Sequence, residues 1–151
     1  GLRRPVREQG QPEPPDPALK LLVVEDHKLS QKVIRGMLSK LGLSADLAAN
    51  GKEALAMATE KRYDLILMDC EMPEMDGFEA TQRIREYERR QGLVAVPIVA
   101  LTAHILREHR ERSLASGMNA HIPKPVEMSV LREALVRFTR KDPGAADGDA
   151  N

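Results

Sequence analysis

YDLILMDCEMPEMDG, residues 63–77, decides how this chain folds. Its apolar run Leu65-Ile66-Leu67-Met68 stops at Asp69, and an acidic, turn-forming segment with Pro73 and Gly77 follows. Consecutive apolar residues ahead of a turn mark a strand buried on both faces, as in a parallel sheet. Asp69 then closes that strand at its C-terminal end, the edge where open α/β sheets place their ligand chemistry. The remaining question is what the chain brings to meet Asp69.

Upstream of this strand, residues 1–18 carry Pro5, Pro12, Pro14, Pro15 and Pro17. Such a stretch cannot propagate a helix or a central strand, and it reads as an extended linker to a longer protein. A first strand is expected over Leu19–Val24, ending at Glu25-Asp26. Leu29, Val33, Met37 and Leu41, with Ile34 and Leu38 beside them, then predict an amphipathic helix closed by Gly42. A weak strand over Ser44–Ala48 leads to a helix capped by Asn50 with Glu53, whose inner face is Leu55, Met57 and Ala58.

Downstream, Asp76 and Glu79 open a helix carrying Phe78, Ile84 and Tyr87, with a solvated charged end over residues 83–91. The stretch Val94–Leu101 contains a fourth strand, ending at Thr102, with Pro97 at its edge or start. An arginine-rich helix follows over His104–Ser116, anchored by Ile105, Leu106 and Leu114 and ended by Gly117. Ala120–Ile122 is a short fifth strand ahead of Pro123-Lys124-Pro125, and Met128, Leu131, Leu135 and Phe138 mark a last amphipathic helix. Residues 141–151 are small and acidic and read as a disordered tail. The expected unit is residues 19–140.

Alternating strands and helices argue for a doubly wound parallel sheet, and right-handed crossovers reduce its topologies to a few. Strand order 2-1-3-4-5 is a common one, with its switch point between strands 1 and 3. It gathers Glu25, Asp26 and Asp69 in one crevice, with Thr102 and Lys124 ending neighbouring strands on the same edge. Carboxylates so placed repel one another unless a cation joins them, and a small set of hard oxygens suits Mg²⁺. A carboxylate is also a nucleophile toward phosphorus, and phosphoryl transfer chiefly needs alignment and charge neutralisation, which Lys124 and Thr102 can supply.

Composition excludes several other classes. The chain has 151 residues, 42% of them hydrophobic, enough for one domain with a real core. Its 23 basic and 23 acidic residues cancel and only 3% are aromatic, so neither charge nor base stacking argues for nucleic acid. The single cysteine, Cys70, excludes an internal disulfide and fits a reducing, cytoplasmic compartment. No apolar run nears the roughly 18 residues of a membrane span, so no direct membrane contact is expected.

Glu25-Asp26, Asp69 within MDCEMPEMDG, Thr102-Ala103 and Lys124-Pro125, in that order and each at a strand end, resemble the receiver domain of two-component response regulators. The resemblance spans about residues 19–139, and DCEMPEMDGFEAT is most similar to receivers fused to hybrid sensor histidine kinases. It implies a flavodoxin-like (βα)5 fold and Asp69 as phosphoacceptor. It implies phosphate drawn from a histidine kinase or a histidine phosphotransfer domain. It implies Mg²⁺ held by Glu25, Asp26 and Asp69 with the backbone carbonyl of Glu71, Thr102 and Lys124 as phosphate contacts, and a cis Lys124-Pro125 peptide. The chain departs from the pattern at His121, where receivers often carry Tyr or Phe, and Glu71 places an acid two residues past the acceptor.

Plainer readings stand beside these. Glu25-Asp26 alone is a loop cap, Thr102 alone a helix N-cap, and Lys124 between two prolines a surface turn. Cys70 and the methionines are packing residues, and the arginines of the fourth helix a solvated face or a partner surface. Two competing functions remain: a receiver-like module that binds its partner without phosphorylation, and an aspartyl phosphatase using Glu71 as its second acid.

Overall fold

The computed structural model describes residues 18–139 apart from 73, 74 and 104–106, and leaves the side chains of 107–109 undescribed. The expected linker and tail, and the anchors Ile105 and Leu106, lie outside the described residues.

Ten elements alternate along the chain: β1 (Leu21–Val24), α1 (Lys28–Lys40), β2 (Ala45–Ala48), α2 (Gly51–Glu60), β3 (Leu65–Asp69), α3 (Gly77–Gln91), β4 (Ile98–Thr102), α4 (Arg107–Ser116), β5 (Ala120–Pro123) and α5 (Met128–Thr139). The strands form one parallel sheet in the order β2-β1-β3-β4-β5. Every residue of the three central strands is buried, whereas the edge strands β2 and β5 are mostly half-buried. That is why the central strands read as unbroken apolar runs and the edges do not.

Alternate side chains feed two cores. Leu22, Val24, Ile66, Met68, Ile98 and Ala100 pack on one face with Ala54 and Ala58 of α2 and Phe78, Ala80 and Ile84 of α3. Leu21, Val23, Leu65, Leu67, Val99 and Leu101 pack on the other with Ile34 and Leu38 of α1 and Leu131 and Leu135 of α5. Burying these chains at roughly 25 cal/mol per Å² is the main drive for the sandwich.

Local signals set the helix ends. Asn50 accepts the Glu53 amide at 2.9 Å, while the Glu53 carboxylate accepts the Ala49 amide at 2.7 Å. Asp76 caps α3 through the Glu79 amide at 2.9 Å. Gly42 and Gly92 leave α1 and α3 with φ of 80° and 66°, in the left-handed region glycine tolerates.

The structure corrects several expectations. Strand β1 begins at Leu21, although Leu19 is buried, and β2 begins at Ala45. Within Val94–Leu101, strand β4 occupies only the part from Ile98, directly after Pro97, and Val94 is 84% exposed. Helix α1 buries Ile34 and Leu38 but leaves Leu29 and Val33 exposed, because the inward stripe follows the sheet and not the longest i, i+4 row. Helix α2 buries Ala54 and Ala58, with Leu55 and Met57 only packed against that core. Leu114 of α4 is exposed, while Ser113 and Ser116 face inward. The charged end of α3 is not all solvated, since Glu88 is buried. Its carboxylate accepts the Val96 amide and an Arg85 N–H, both at 2.8 Å. Arg85 in turn reaches the Gly117 carbonyl and Asn119, clamping α3 to the turn before β5.

Candidate functional site

Parallel pairing brings four strand ends to one edge. Val24 is in register with Met68, Asp69 with Leu101 and Thr102 with Pro123, so Glu25, Asp69, Thr102 and Lys124 follow one another across the sheet. Glu25 is fixed from both sides. Its Oε2 accepts the His27 amide at 3.1 Å, and its carbonyl accepts the Gln31 side-chain amide at 2.7 Å.

Asp69 is 1% exposed. Its Oδ1 accepts the Glu71 amide at 3.1 Å and the Lys124 ammonium at 3.1 Å. The ammonium also lies 3.4 Å from Glu25 Oε1. One carboxylate oxygen from each of Glu25, Asp26 and Asp69 lies within 4.8 Å of the others. Glu25 Oε1, Asp26 Oδ1 and Asp69 Oδ2 are buried without a hydrogen-bond partner among the described residues. Buried carboxylate oxygens left this way are costly, and a divalent cation would satisfy them. An all-oxygen, acidic donor set fits Mg²⁺.

The electrostatics follow from this crowding. Burial, and then the Glu25 charge, push the Asp69 carboxyl up to about 6 against the pull of Lys124 and the Glu71 amide. Burial opposes the charged form of Lys124, but Asp69 and Glu25 outweigh it and raise its pKa. Cys70 is buried, and its thiol is pushed up to about 12 by burial and then by Glu71 and Asp69, so it is a packed thiol and not a thiolate.

Thr102, at the end of β4, is buried, and its hydroxyl donates to Glu71 Oε2 at 3.1 Å. The Lys124 amide donates to the Thr102 carbonyl at 2.9 Å, and the Lys124-Pro125 peptide is cis. His121 is half-buried in β5, with Nδ1 unpartnered among the described residues; burial and then Arg110 lower its pKa. Gly77 allows the start of α3 to sit against β3, because a Cβ there would lie 2.2 Å from the Asp69 carbonyl oxygen.

Three features of this edge were not read from the sequence. The Glu71 side chain reaches Thr102, across 31 positions. Arg112 of α4 donates to Asp76 at 3.1 Å and stacks 4.1 Å from the centre of the Phe78 ring, tying α4 to the loop after Asp69. Leu29, Val33, Pro125 and Val126 line a groove of about 410 Å³ that opens beside Glu25 and Lys124. Only the exposed Leu29 and Val33 left a trace in the sequence, as apolar positions in excess of those the core needs.

Comparison with known proteins matches the chain to a family and to solved structures. The model of the response regulator receiver domain family matches residues 21–136. The chain is 41% identical over 129 residues to probable histidine kinase 2 of Oryza sativa subsp. indica, covering 76% of this chain and 12% of that protein. It thus spans about an eighth of the length of that curated relative. The receiver domain of sensor histidine kinase PA1611 from Pseudomonas aeruginosa, solved with a magnesium ion in its active site cleft, is 42% identical. The match has a TM-score of 0.73 and covers 80% of this chain and 97% of that one. The receiver domain of Ssk1 from Saccharomyces cerevisiae, solved with the histidine phosphotransfer protein Ypd1, appears in a match at 33% identity, with a TM-score of 0.77 and coverage of 82% and 90%.

Proposed function

Because this chain belongs to the response regulator receiver domain family, we propose that it is a phosphoacceptor switch. Asp69 takes a phosphoryl group from a phosphohistidine on a histidine kinase or a histidine phosphotransfer domain. The observation that carries this reading is the buried Asp69, with Glu25 and Asp26 within 4.8 Å and Lys124 at 3.1 Å. The receiver unit is residues 19–140 and serves as the receiver of a hybrid histidine kinase. The site works in the cytoplasm with no direct part in membrane or nucleic-acid binding. Among the described residues, no helix is long and apolar enough to cross a membrane.

A carboxylate oxygen of Asp69 attacks phosphorus in line with the donor nitrogen. The new P–O bond forms as the P–N bond breaks, and its electron pair returns to the donor imidazole. Lys124 neutralises a phosphoryl oxygen, and the Thr102 hydroxyl donates a hydrogen bond to another. Glu25, Asp26, Asp69 and the Glu71 backbone carbonyl would hold Mg²⁺, which would supply charge neutralisation for the transferring group. The domain catalyses its own phosphorylation and is not a turnover enzyme. The donor docks over the groove beside Lys124, where Leu29 is 74% and Val33 52% exposed. The added charge then draws in Thr102 and biases the packing of α4, β5 and α5.

Intact mass after incubation with a phosphorylated histidine phosphotransfer protein tests this. Gain of one phosphoryl group, dependent on Mg²⁺ and absent in Asp69→Asn, supports the reading. Binding of the donor without transfer would favour a module that acts unphosphorylated.

A further inference from the structure

We infer that the Glu71 carboxylate competes with the incoming phosphoryl group for the Thr102 hydroxyl, and so acts as a latch on the unphosphorylated state. The inference rests on the phosphoacceptor reading and assigns a role to a side chain that the proposed chemistry leaves unused. Glu71 is tied to the site twice. Its amide donates to Asp69 Oδ1 at 3.1 Å, and its carboxylate accepts from Thr102 Oγ1 at 3.1 Å. Glu71 therefore bridges Asp69 at the tip of β3 and Thr102 at the tip of β4.

A hydroxyl has one proton to donate. While Thr102 gives it to Glu71, it cannot give it to a phosphoryl oxygen on Asp69. Thr102 is 3% exposed, so its hydroxyl has little solvent to turn to. Phosphorylation places an acceptor carrying about −1.5 to −2 charge beside the Glu71 carboxylate. The two anions compete for one donor and repel each other. Glu71 is exposed, so its carboxylate leaves toward solvent when it loses. The hydrogen bond is thus an element with two exclusive arrangements, biased by the state of Asp69. Glu71 is a positioning residue acting through Thr102, not a catalytic residue.

The test is a double-mutant cycle read as affinity for beryllofluoride, formed from beryllium chloride and fluoride, at saturating Mg²⁺. Glu71→Ala should bind it roughly three- to ten-fold tighter than wild type, the range set by losing one charge-assisted but partly exposed hydrogen bond. In a Thr102→Val background the same substitution should change affinity by less than about two-fold. In a Thr102→Ser background, which keeps the donor, the gain should return. Thr102→Ala replaces Thr102→Val if the latter does not fold. An equal gain without the hydroxyl would show plain charge repulsion and overturn the inference. Unchanged or weaker binding in Glu71→Ala would overturn it too, while leaving the phosphoacceptor reading intact. Failure of the wild type to bind beryllofluoride with Mg²⁺ present would instead remove that reading and this inference together.

Discussion

Replacing Asp69 by Asn should make the metal-free domain more stable at neutral pH. The Asp69 carboxyl is buried beside Glu25, and its pKa stands at about 6 against an ordinary 3.8. Between those values the folded state holds a proton that the unfolded chain releases. Stability therefore falls as pH rises through that window and then levels off. At about 1.4 kcal/mol per pH unit, the deficit above pH 6 is about 3 kcal/mol. The pull of Lys124 is already inside that value, and Lys124 has a second carboxylate partner in Glu25, 3.4 Å away. Asn imitates the protonated carboxyl, so Asp69→Asn should gain up to about 3 kcal/mol at pH 7 and almost nothing below about pH 4. Urea unfolding in a chelator at both pH values measures this. Adding Mg²⁺ should stabilise the wild type far more than the variant, because binding to the folded state alone adds to its stability. A variant no more stable than wild type at pH 7, or a gap independent of pH, would refute the crowded-carboxylate account.

Other substitutions probe separate links. Gly77→Ala would set a Cβ 2.2 Å from the Asp69 carbonyl oxygen, where backbone must move; about 2–4 kcal/mol of lost stability by urea unfolding is expected, with weakened Mg²⁺ binding. Glu88→Ala strands the buried Val96 amide and Arg85, each bonded at 2.8 Å, and should cost about 3 kcal/mol by the same measurement without altering phosphorylation chemistry. Leu29→Asp with Val33→Asp changes residues 74% and 52% exposed, so stability should stay within about 0.5 kcal/mol. Transfer from a histidine phosphotransfer protein should fall at least about ten-fold, as for loss of apolar anchors in a docking surface, while labelling by acetyl phosphate holds. Equal loss with both donors would move the defect from docking to the site.

The sheet was legible because its central strands are continuous apolar runs ending in polar residues, and because five βα units leave few topologies. The strand-end acids, hydroxyl and lysine could be located for the same reason: parallel strands all present their C-terminal ends at one edge. Strand starts were less legible, since Val94 looks like Val99 until Arg62 is seen taking its carbonyl at 2.7 Å in a loop. Helix faces failed where apolar residues serve something other than the core, as at Leu29 and Val33. Glu88 was misread because a charge run looks solvated unless the partners of one member are known. The Glu71–Thr102 and Arg112–Asp76 contacts join positions 31 and 36 apart and leave no local pattern.

The central claim is that one aspartyl oxygen accepts phosphate in a cation-dependent site. Borohydride reduction of the phosphodonor-treated domain converts an acyl phosphate to an alcohol and marks its residue for peptide mapping. The account predicts the mark at Asp69, abolished by a divalent chelator. A mark at another carboxylate, phosphate retained on a histidine, or labelling indifferent to the chelator would contradict it.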